Sequence, residues 1–321
     1  MAEFITISDA ESGTRLLRWF LRHYPGMLQR DFYKLCRGGQ IRINSSRCKG
    51  IEVLHTGDVV RIPPTLQSYQ KSNKKTETGE KYSLSDLEEL RKCVIYDDAD
   101  IVVFNKPAGL AVQGGTGIKK SVDKMAAALF PYDKISLVHR IDRETSGLLV
   151  VAKNQKAAQD LSAQFQNKVA HKEYLALLQG NLTQKSGTID NYVAKGQVFE
   201  DFSKIPETIV AQRAITEYKV LGEATGLLTW VLFSPKTGRT HQLRLHSAFS
   251  LNAPIVGDDL YGTKSRGLDG VLGSVLNTQK LFLFAYRITL RHPGTGKEIT
   301  LNAELPDFMQ SVVKFFEFKM P

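Results

Sequence analysis

The sequence predicts an α+β fold in two parts: a small N-terminal α/β module over residues 1–64 and a large domain over residues 89–321, joined by a linker over residues 65–88. Three observations predict it. Apolar runs of strand length occupy residues 94–104 and 137–151, and strand-like segments dominate after about residue 168. Helical periodicity is confined to short stretches between them. The segment from Gln67 to Glu80 turns polar, with Gln70-Lys71-Ser72-Asn73-Lys74-Lys75 at its centre, which is linker composition. A chain of 321 residues is long enough to bury a core in each part.

The elements follow in order. Leu16, Leu17, Phe20 and Leu21 make the apolar face of a first helix, Arg15, Arg18 and Arg22 lie opposite, and Pro25-Gly26 ends it. Leu28, Phe32 and Leu35 mark a second helix that stops at Gly38-Gly39. Ile41 and Ile43 alternate with Arg42 and Asn44 as a strand, and Gly57-Asp58 turns into a strand from Val59 to Ile62. In the large domain a charged helix, Ser83 to Lys92, precedes strands at Val94–Tyr96 and Ile101–Phe104. The loop Gln113-Gly114-Gly115-Thr116-Gly117 lacks the Gly-Lys-Ser/Thr ending of a phosphate-binding loop and the spacing of a dinucleotide fingerprint, so neither is assigned. Helices are expected at Lys120–Leu129 and at about Asn154–Lys168, the latter with Ala158, Leu161 and Phe165 inward. Lys172 to Gly180 and Leu243-Arg244-Leu245 read as strands.

Composition narrows the function classes. An apolar fraction of 42% and a charged fraction of 24% are ordinary for a globular protein. There is no apolar run of transmembrane length and no basic-then-apolar leader, so no membrane association is expected. Three cysteines, Cys36, Cys48 and Cys93, form no close pair, which disfavours a disulfide framework or zinc site and makes the cytoplasm the default compartment. A net charge of +10 and a pI near 9.4 point to a polyanionic partner. Between Thr14 and Pro63, ten cations face only Asp31, Glu52 and Asp58, so the excess is concentrated in the N-terminal module.

The sharpest signal is His139-Arg140-Ile141-Asp142-Arg143-Glu144-Thr145-Ser146-Gly147. It sets one carboxylate in a turn between the apolar runs Leu137-Val138 and Leu148–Val151. Thr145 and Ser146 can bond local backbone, and Gly147 allows a positive φ before the strand resumes. The string resembles the His-Arg-Leu-Asp-x-x-Thr-Ser-Gly signature of the RluA-type pseudouridine synthases, with Ile141 in place of Leu. Asn105-Lys106-Pro107-Ala108-Gly109-Leu110, Lys172-Glu173-Tyr174-Leu175-Ala176-Leu177-Leu178-Gln179-Gly180 and Lys236-Thr237-Gly238-Arg239-Thr240-His241-Gln242-Leu243-Arg244-Leu245-His246 resemble further motifs of that family. Pro254–Asp258 and Tyr261-Gly262 continue the last of these. The likeness is strongest to the RluC-like branch, which modifies large-subunit ribosomal RNA. Gln113 and Phe284 depart from it, each standing where His is common. Arg37-Gly38-Gly39-Gln40-Ile41-Arg42-Ile43-Asn44 and the closing Gly57-Asp58-Val59-Val60 resemble the S-four-type RNA-binding module.

The resemblance implies a pseudouridine synthase fold with a mixed, largely antiparallel central sheet. It also implies a site-specific isomerisation of uridine to pseudouridine in RNA. That rearrangement breaks N1–C1′ and rejoins uracil through C5, without net hydrolysis or redox change, so no cofactor or metal is expected. Hydrolytic glycosidases generally need two carboxylates; the motif supplies one. Asp142 is the implied catalytic residue, as nucleophile or as base at C2′. Arg244 is its implied ion-pair partner, and Tyr174 is implied to stack on the uracil and relay the C5 proton. Arg140 would help extrude the nucleotide. His139, Thr145, Arg239, His241 and Gln242 are expected RNA contacts at the site, and Arg15, Arg18, Arg22, Arg37 and Arg42 in the N-terminal module. His139, His241 and His246 have no ligand-like arrangement, and Asp258 and Asp259 read as turn formers. The expected partner is RNA, large-subunit ribosomal RNA first and transfer RNA as the rival, bound by a monomer. A non-catalytic RNA assembly factor and a hydrolytic RNA glycosylase are the other readings.

Overall fold

The computed structural model describes residues 2–24, 27, 29–66, 82–194, 196–224, 226–262 and 280–321. The chain forms two compact units, Met1–Lys81 and Tyr82–Pro321. The expected linker falls largely on residues 67–81, outside the described residues.

In the first unit the elements are β1 (Glu3–Thr6), α1 (Leu16–His23), α2 (Gln29–Arg37), β2 (Arg42–Ile43), β3 (Ser46–Arg47) and β4 (Val59–Ile62). The sheet order is β1-β4-β2-β3. The sequence pattern does not predict β1; its Phe4 is exposed, and pairing with β4 sets it. Asn44 and Ser45 both take positive φ, which matches the twist of the short β2–β3 hairpin. Leu16, Trp19, Phe20 and Phe32 fill the core, while Arg15, Arg18 and Arg37 are exposed or half-buried at the surface. Arg42 is held back: its guanidinium donates to the Gly39 and Ser45 carbonyls, so it shapes the turn first. The expected inward residue Leu28 and the side chain of Arg22 lie outside the described set.

The second unit opens with α3 (Leu84–Lys92), β5 (Val94–Asp97), β6 (Ile101–Lys106), α4 (Val122–Leu129), β7 (Ser136–Leu137), β8 (Ser146–Ala152) and α5 (Gln155–Gln166). It continues through β9 (His171–Gln179), β10 (Ser186–Ala194), β11 (Gln197–Phe199), β12 (Gln212–Ala224) and β13 (Leu228–Pro235). The last elements are α6 (Gln242–Leu245), β14 (Leu283–Arg291), β15 (Glu298–Asn302) and α7 (Asp307–Phe315). One sheet runs β11-β10-β12-β13-β9-β14-β8-β6-β5, with β15 added to β14 and β7 to β8. Every strand pairing is antiparallel except β8 with β14, so the sheet is mixed and largely antiparallel, as the resemblance implied. β8 is buried along its whole length, which is why its sequence reads as an unbroken apolar run. Phe284, which departs from the family pattern, is fully buried on β14 opposite Ser146; it is a packing position.

The parallel seam explains Gly147. Its φ is +105°, and a Cβ there would collide with the backbone of Ala285. Only glycine lets the chain leave the 138–145 loop and join β14 at once.

One element differs from the sequence reading. Leu243-Arg244-Leu245 is not a strand: Gln242–Leu245 is a short helix, and one π-helical turn, His246–Ser250, continues it. All six residues from Gln242 to Ser247 are buried, so no polar face exists to reveal a helical period, and Leu-Arg-Leu mimics strand alternation.

Candidate active site

Three anchors hold the loop that carries Asp142. The imidazole Nε2 of His139 accepts the Val150 amide at 2.9 Å, and its ring stacks on Phe165 at 4.4 Å. That bond requires an unprotonated Nε2, and burial together with Lys172 lowers the pKa to about 3. His139 therefore fixes the loop to β8 while also bordering the cavity of the site. Lys106 is the second anchor. It is fully buried, and its ammonium donates at 2.9 Å to each of the Pro107, Leu110 and Arg143 carbonyls. Burial drives its pKa down to about 7, against the fields of Glu144 and Asp142. Around it, Gly109 and Arg143 bond reciprocally, the Gly109 amide to the Arg143 carbonyl and the Arg143 guanidinium to the Gly109 carbonyl.

The third anchor is the turn itself. The Thr145 amide donates to the Asp142 carbonyl, and Thr145 is 2% exposed, so it builds the loop. The hydroxyl of Ser146 is buried with no partner among the described residues, so the local backbone bond expected of it does not form.

Facing this loop, α6 is fixed from below by a buried polar chain. Gln242 donates to the Ile215 carbonyl and to the Thr216 hydroxyl, and its own carbonyl accepts from the Thr237 hydroxyl and the Arg239 amide. Its side-chain amide is engaged within the protein on both its oxygen and its nitrogen, so it anchors α6. Thr216 in turn donates to Nδ1 of His246, whose Nε2 donates to Asn191. Burial lowers the His246 pKa to about 4 and keeps it neutral. His139, His241 and His246 thus face three different sets of partners and do not converge.

Arg244, 3% exposed, is where the sequence reading needs its main correction. Its principal partner is Asp258, not Asp142. Nε and Nη2 make bonds of 2.8 and 2.6 Å to the two Asp258 carboxylate oxygens, and Asp259 accepts a further bond from Nη2 at 3.3 Å. Asp258 also accepts the Leu260 and Tyr261 amides, so it is a turn former and an ion-pair partner together. Burial opposes both charges, but the mutual bonds more than offset it: the carboxylate pKa is lowered and the guanidinium pKa raised. Gly262 admits this turn, since a Cβ there would collide with the Asp258 carbonyl. The remaining amino group, Nη1, reaches to 4.0 Å from Asp142. His241, in a left-handed conformation, bonds the Tyr261 hydroxyl at 2.9 Å and places Nε2 3.9 Å from the other Asp142 oxygen. Sequence reasoning missed Tyr261, which closes the guanidinium from above with its ring 5.3 Å away.

Asp142, His241, Gln242 and Arg244 line one cavity of about 480 Å³, large enough for a nucleoside. Asp142, Arg244, Tyr174, Arg140, Arg239 and Lys172 all border it. Tyr174 is partly buried, and burial, with the field of Asp142, raises its phenol pKa. A phenol held protonated can stack and donate, but it is a poor base. Arg140 is exposed at the cavity, free to follow a nucleotide in or out. Asp142 is the only carboxylate bordering the cavity among the described residues.

Residues 100–249 match the sequence pattern of an RNA pseudouridylate synthase domain. The ribosomal large subunit pseudouridine synthase C of Vibrio vulnificus is 35% identical over 314 residues, spanning 97% of this chain and 96% of its own. The protein of the same name from Haemophilus influenzae is 33% identical over 313 residues, spanning 97% and 94%. Among solved structures, human RNA pseudouridylate synthase domain containing 4 superposes with a TM-score of 0.62 at 26% identity, covering 73% of this chain and 97% of its own. Human RNA pseudouridylate synthase domain containing 1 gives 0.53 at 27% identity, covering 66% and 83%.

The buried pair makes a direct prediction. Asp258→Asn leaves Arg244 with an uncompensated buried charge, so urea unfolding should show a loss of about 3 kcal/mol. Asp142→Asn, at a partly exposed carboxylate, should lose far less. Equal stabilities would remove Asp258 from the framework.

Acidification makes another. Native His246 resists protonation down to about pH 4, whereas the unfolded residue titrates near 6.5, its ordinary value. The unfolded state therefore binds more protons between these values. This residue's stabilising contribution is complete above pH 6.5 and is lost as pH falls towards 4, by up to about 3 kcal/mol. Urea midpoints of His246→Gln should fall less steeply over that window than those of the wild type; parallel curves would refute the neutral assignment.

Proposed function

This chain belongs to the RNA pseudouridylate synthase family, and from that premise we propose that it isomerises uridine to pseudouridine in large-subunit ribosomal RNA, with Asp142 acting on the ribose. The substrate follows the relatives' names, which specify the ribosomal large subunit. The observation that carries the catalytic assignment is the lone carboxylate of Asp142, bordering a nucleoside-sized cavity opposite a guanidinium that a second carboxylate immobilises.

A stacked uridine cannot reach that carboxylate, so the nucleotide must flip out of its RNA. Tyr174 offers a ring for the base to stack on, and Arg140 stands at the cavity to fill the vacated place. Arg244 is already locked on Asp258, so its free amino group faces Asp142 without rearranging during the reaction. Asp142 then acts at C1′ as a nucleophile or at C2′ as a base. N1–C1′ breaks, the uracil turns, and C5 bonds to C1′ as Asp142 leaves C1′ or returns the proton to C2′; the C5 proton is then lost and N1 takes one up. Nothing in this sequence of bonds calls for a redox group or a hydrolytic water.

Arg15, Arg18 and Arg37 stand at the surface of a packed scaffold in the first unit, an arrangement suited to phosphate contact. No helix among the described residues is long and apolar enough to cross a membrane, and Cys36, Cys48 and Cys93 are free thiols; a cytoplasmic enzyme is the reading these support. One chain supplies every residue assigned to the site, so a monomer suffices.

The assay is tritium release from RNA labelled at C5 of uridine, because forming the new bond expels that hydrogen. Asp142→Asn should bind RNA with near-normal affinity and release none. Release at the wild-type rate would exclude Asp142 from the chemistry.

Replacing Arg15, Arg18 and Arg37 together by Gln should weaken binding to a structured ribosomal fragment. For every phosphate that loses its arginine, the slope of log affinity against log salt should become shallower by about one. The single-turnover rate at saturating RNA should hold. An unchanged slope would mean that these arginines do not touch phosphate.

A further inference from the structure

We propose that Lys172 is a further catalytic group of this site: its ammonium stabilises the negative charge that the uracil acquires on leaving the ribose. The inference rests on the uridine-isomerising reading above and adds a residue to it.

Lys172 and Tyr174 are two positions apart on β9, so their side chains leave the same face of the sheet, and both border the cavity. Glu173, between them, turns to the other face and pairs with Arg287 at 2.9 Å. The carboxylate nearest in sequence is therefore engaged elsewhere. The Lys172 ammonium extends towards the loop 236–240: a Cβ on Gly238 would stand 3.6 Å from its Nζ.

Three other cations bordering the cavity have protein acceptors. Lys236 pairs with Glu217 at 2.8 Å, Arg239 donates to the Arg213 carbonyl, and Arg244 is bound by Asp258. Arg140 and Lys168 are exposed to solvent. Lys172 is partly buried and, among the described residues, makes no hydrogen bond or ion pair. Burial lowers its pKa, with no carboxylate near enough to oppose the shift. A partly desolvated ammonium with no protein acceptor is an unfavourable arrangement in the resting protein. Its natural complement is an anion that forms inside the cavity.

The reaction generates one. When N1–C1′ breaks, both bonding electrons stay with the base, shared among N1, O2 and O4. At the sugar, C1′ is balanced either by a bond to an Asp142 oxygen or by loss of the C2′ proton to Asp142. In both routes the base is an anion until C5 gives an electron pair to C1′, as the C1′–O bond to Asp142 breaks or Asp142 returns the proton to C2′; the C5 proton then leaves and N1 takes one up. A uracil stacked on Tyr174 lies beside Lys172, which can donate to O2 or O4 through that interval. Backbone phosphates meet the exposed Arg140 and Lys168 first, so the partly buried ammonium is assigned to the base.

The test is single-turnover conversion, at saturating RNA, of a target carrying either uridine or 5-fluorouridine, followed as loss of the N-glycoside. Lys172→Met keeps the side-chain length and breaks no bond within the protein, so it should fold. Its rate with uridine should fall by about 10²-fold, as for removal of one donor to a developing anion, with RNA affinity little changed. Lys172→Arg should recover much of the rate. Fluorine withdraws electrons and carries part of the leaving-group charge itself, so the loss with 5-fluorouridine should be clearly smaller. An equal loss with both bases, or a loss confined to affinity, would overturn the assignment in favour of a phosphate contact or a purely structural lysine. Wild type and Asp142→Asn run alongside. If the wild type forms no pseudouridine, or the Asn variant forms it normally, the reading of the site fails first, independently of Lys172.

Discussion

The site depends on the buried ion pair between Arg244 and Asp258. Two bonds of 2.8 and 2.6 Å join side chains that are 3% and 0% exposed. Such a pair is costly to desolvate, and as a source of stability alone an apolar substitute would serve as well or better. What the pair supplies is direction. With Nε and Nη2 committed to Asp258, the guanidinium has one orientation, and its remaining amino group faces Asp142 across 4.0 Å. The amides of Leu260 and Tyr261 hold Asp258 from behind, and the Tyr261 ring covers the guanidinium. A loosely held arginine would collapse onto Asp142 and block the space that the ribose needs.

The facing loop is built to the same standard by different means. Lys106 gathers three carbonyls, His139 accepts a strand amide, and Gly147 lets β8 meet β14 directly after the turn. The first support is cationic, the second a neutral imidazole and the third steric, and the Thr145 amide bonded to the Asp142 carbonyl closes the turn between them. Each fixes main chain instead of the Asp142 side chain, which stays partly exposed for substrate. Rigid backbone beneath a free carboxylate is the arrangement that positioning catalysis requires.

Buried histidines here are structural because burial keeps them neutral. His246 links Thr216 to Asn191, and His139 links the loop to β8; neither arrangement survives ring protonation, since each needs one ring nitrogen as an acceptor. His241, partly exposed and 3.9 Å from Asp142, is the histidine left within reach of a substrate.

The sequence by itself determined the family, the α+β class, the positions of β5 to β9 and the residue proposed to carry the chemistry. These were legible because Asp142 lies in a contiguous signature and because strands and turns leave short-range patterns, such as the run of β8 and the glycine at its start. Tertiary structure alone decided that Asp258 holds Arg244, fourteen residues away, and that Gln242, Thr145 and His139 are bound into the framework of the site. It also turned Leu243-Arg244-Leu245 into a helix. The reason is the same in each case. These residues are enclosed by segments distant in sequence, so neither periodicity nor polarity records their partners, and only the folded chain brings donor and acceptor together.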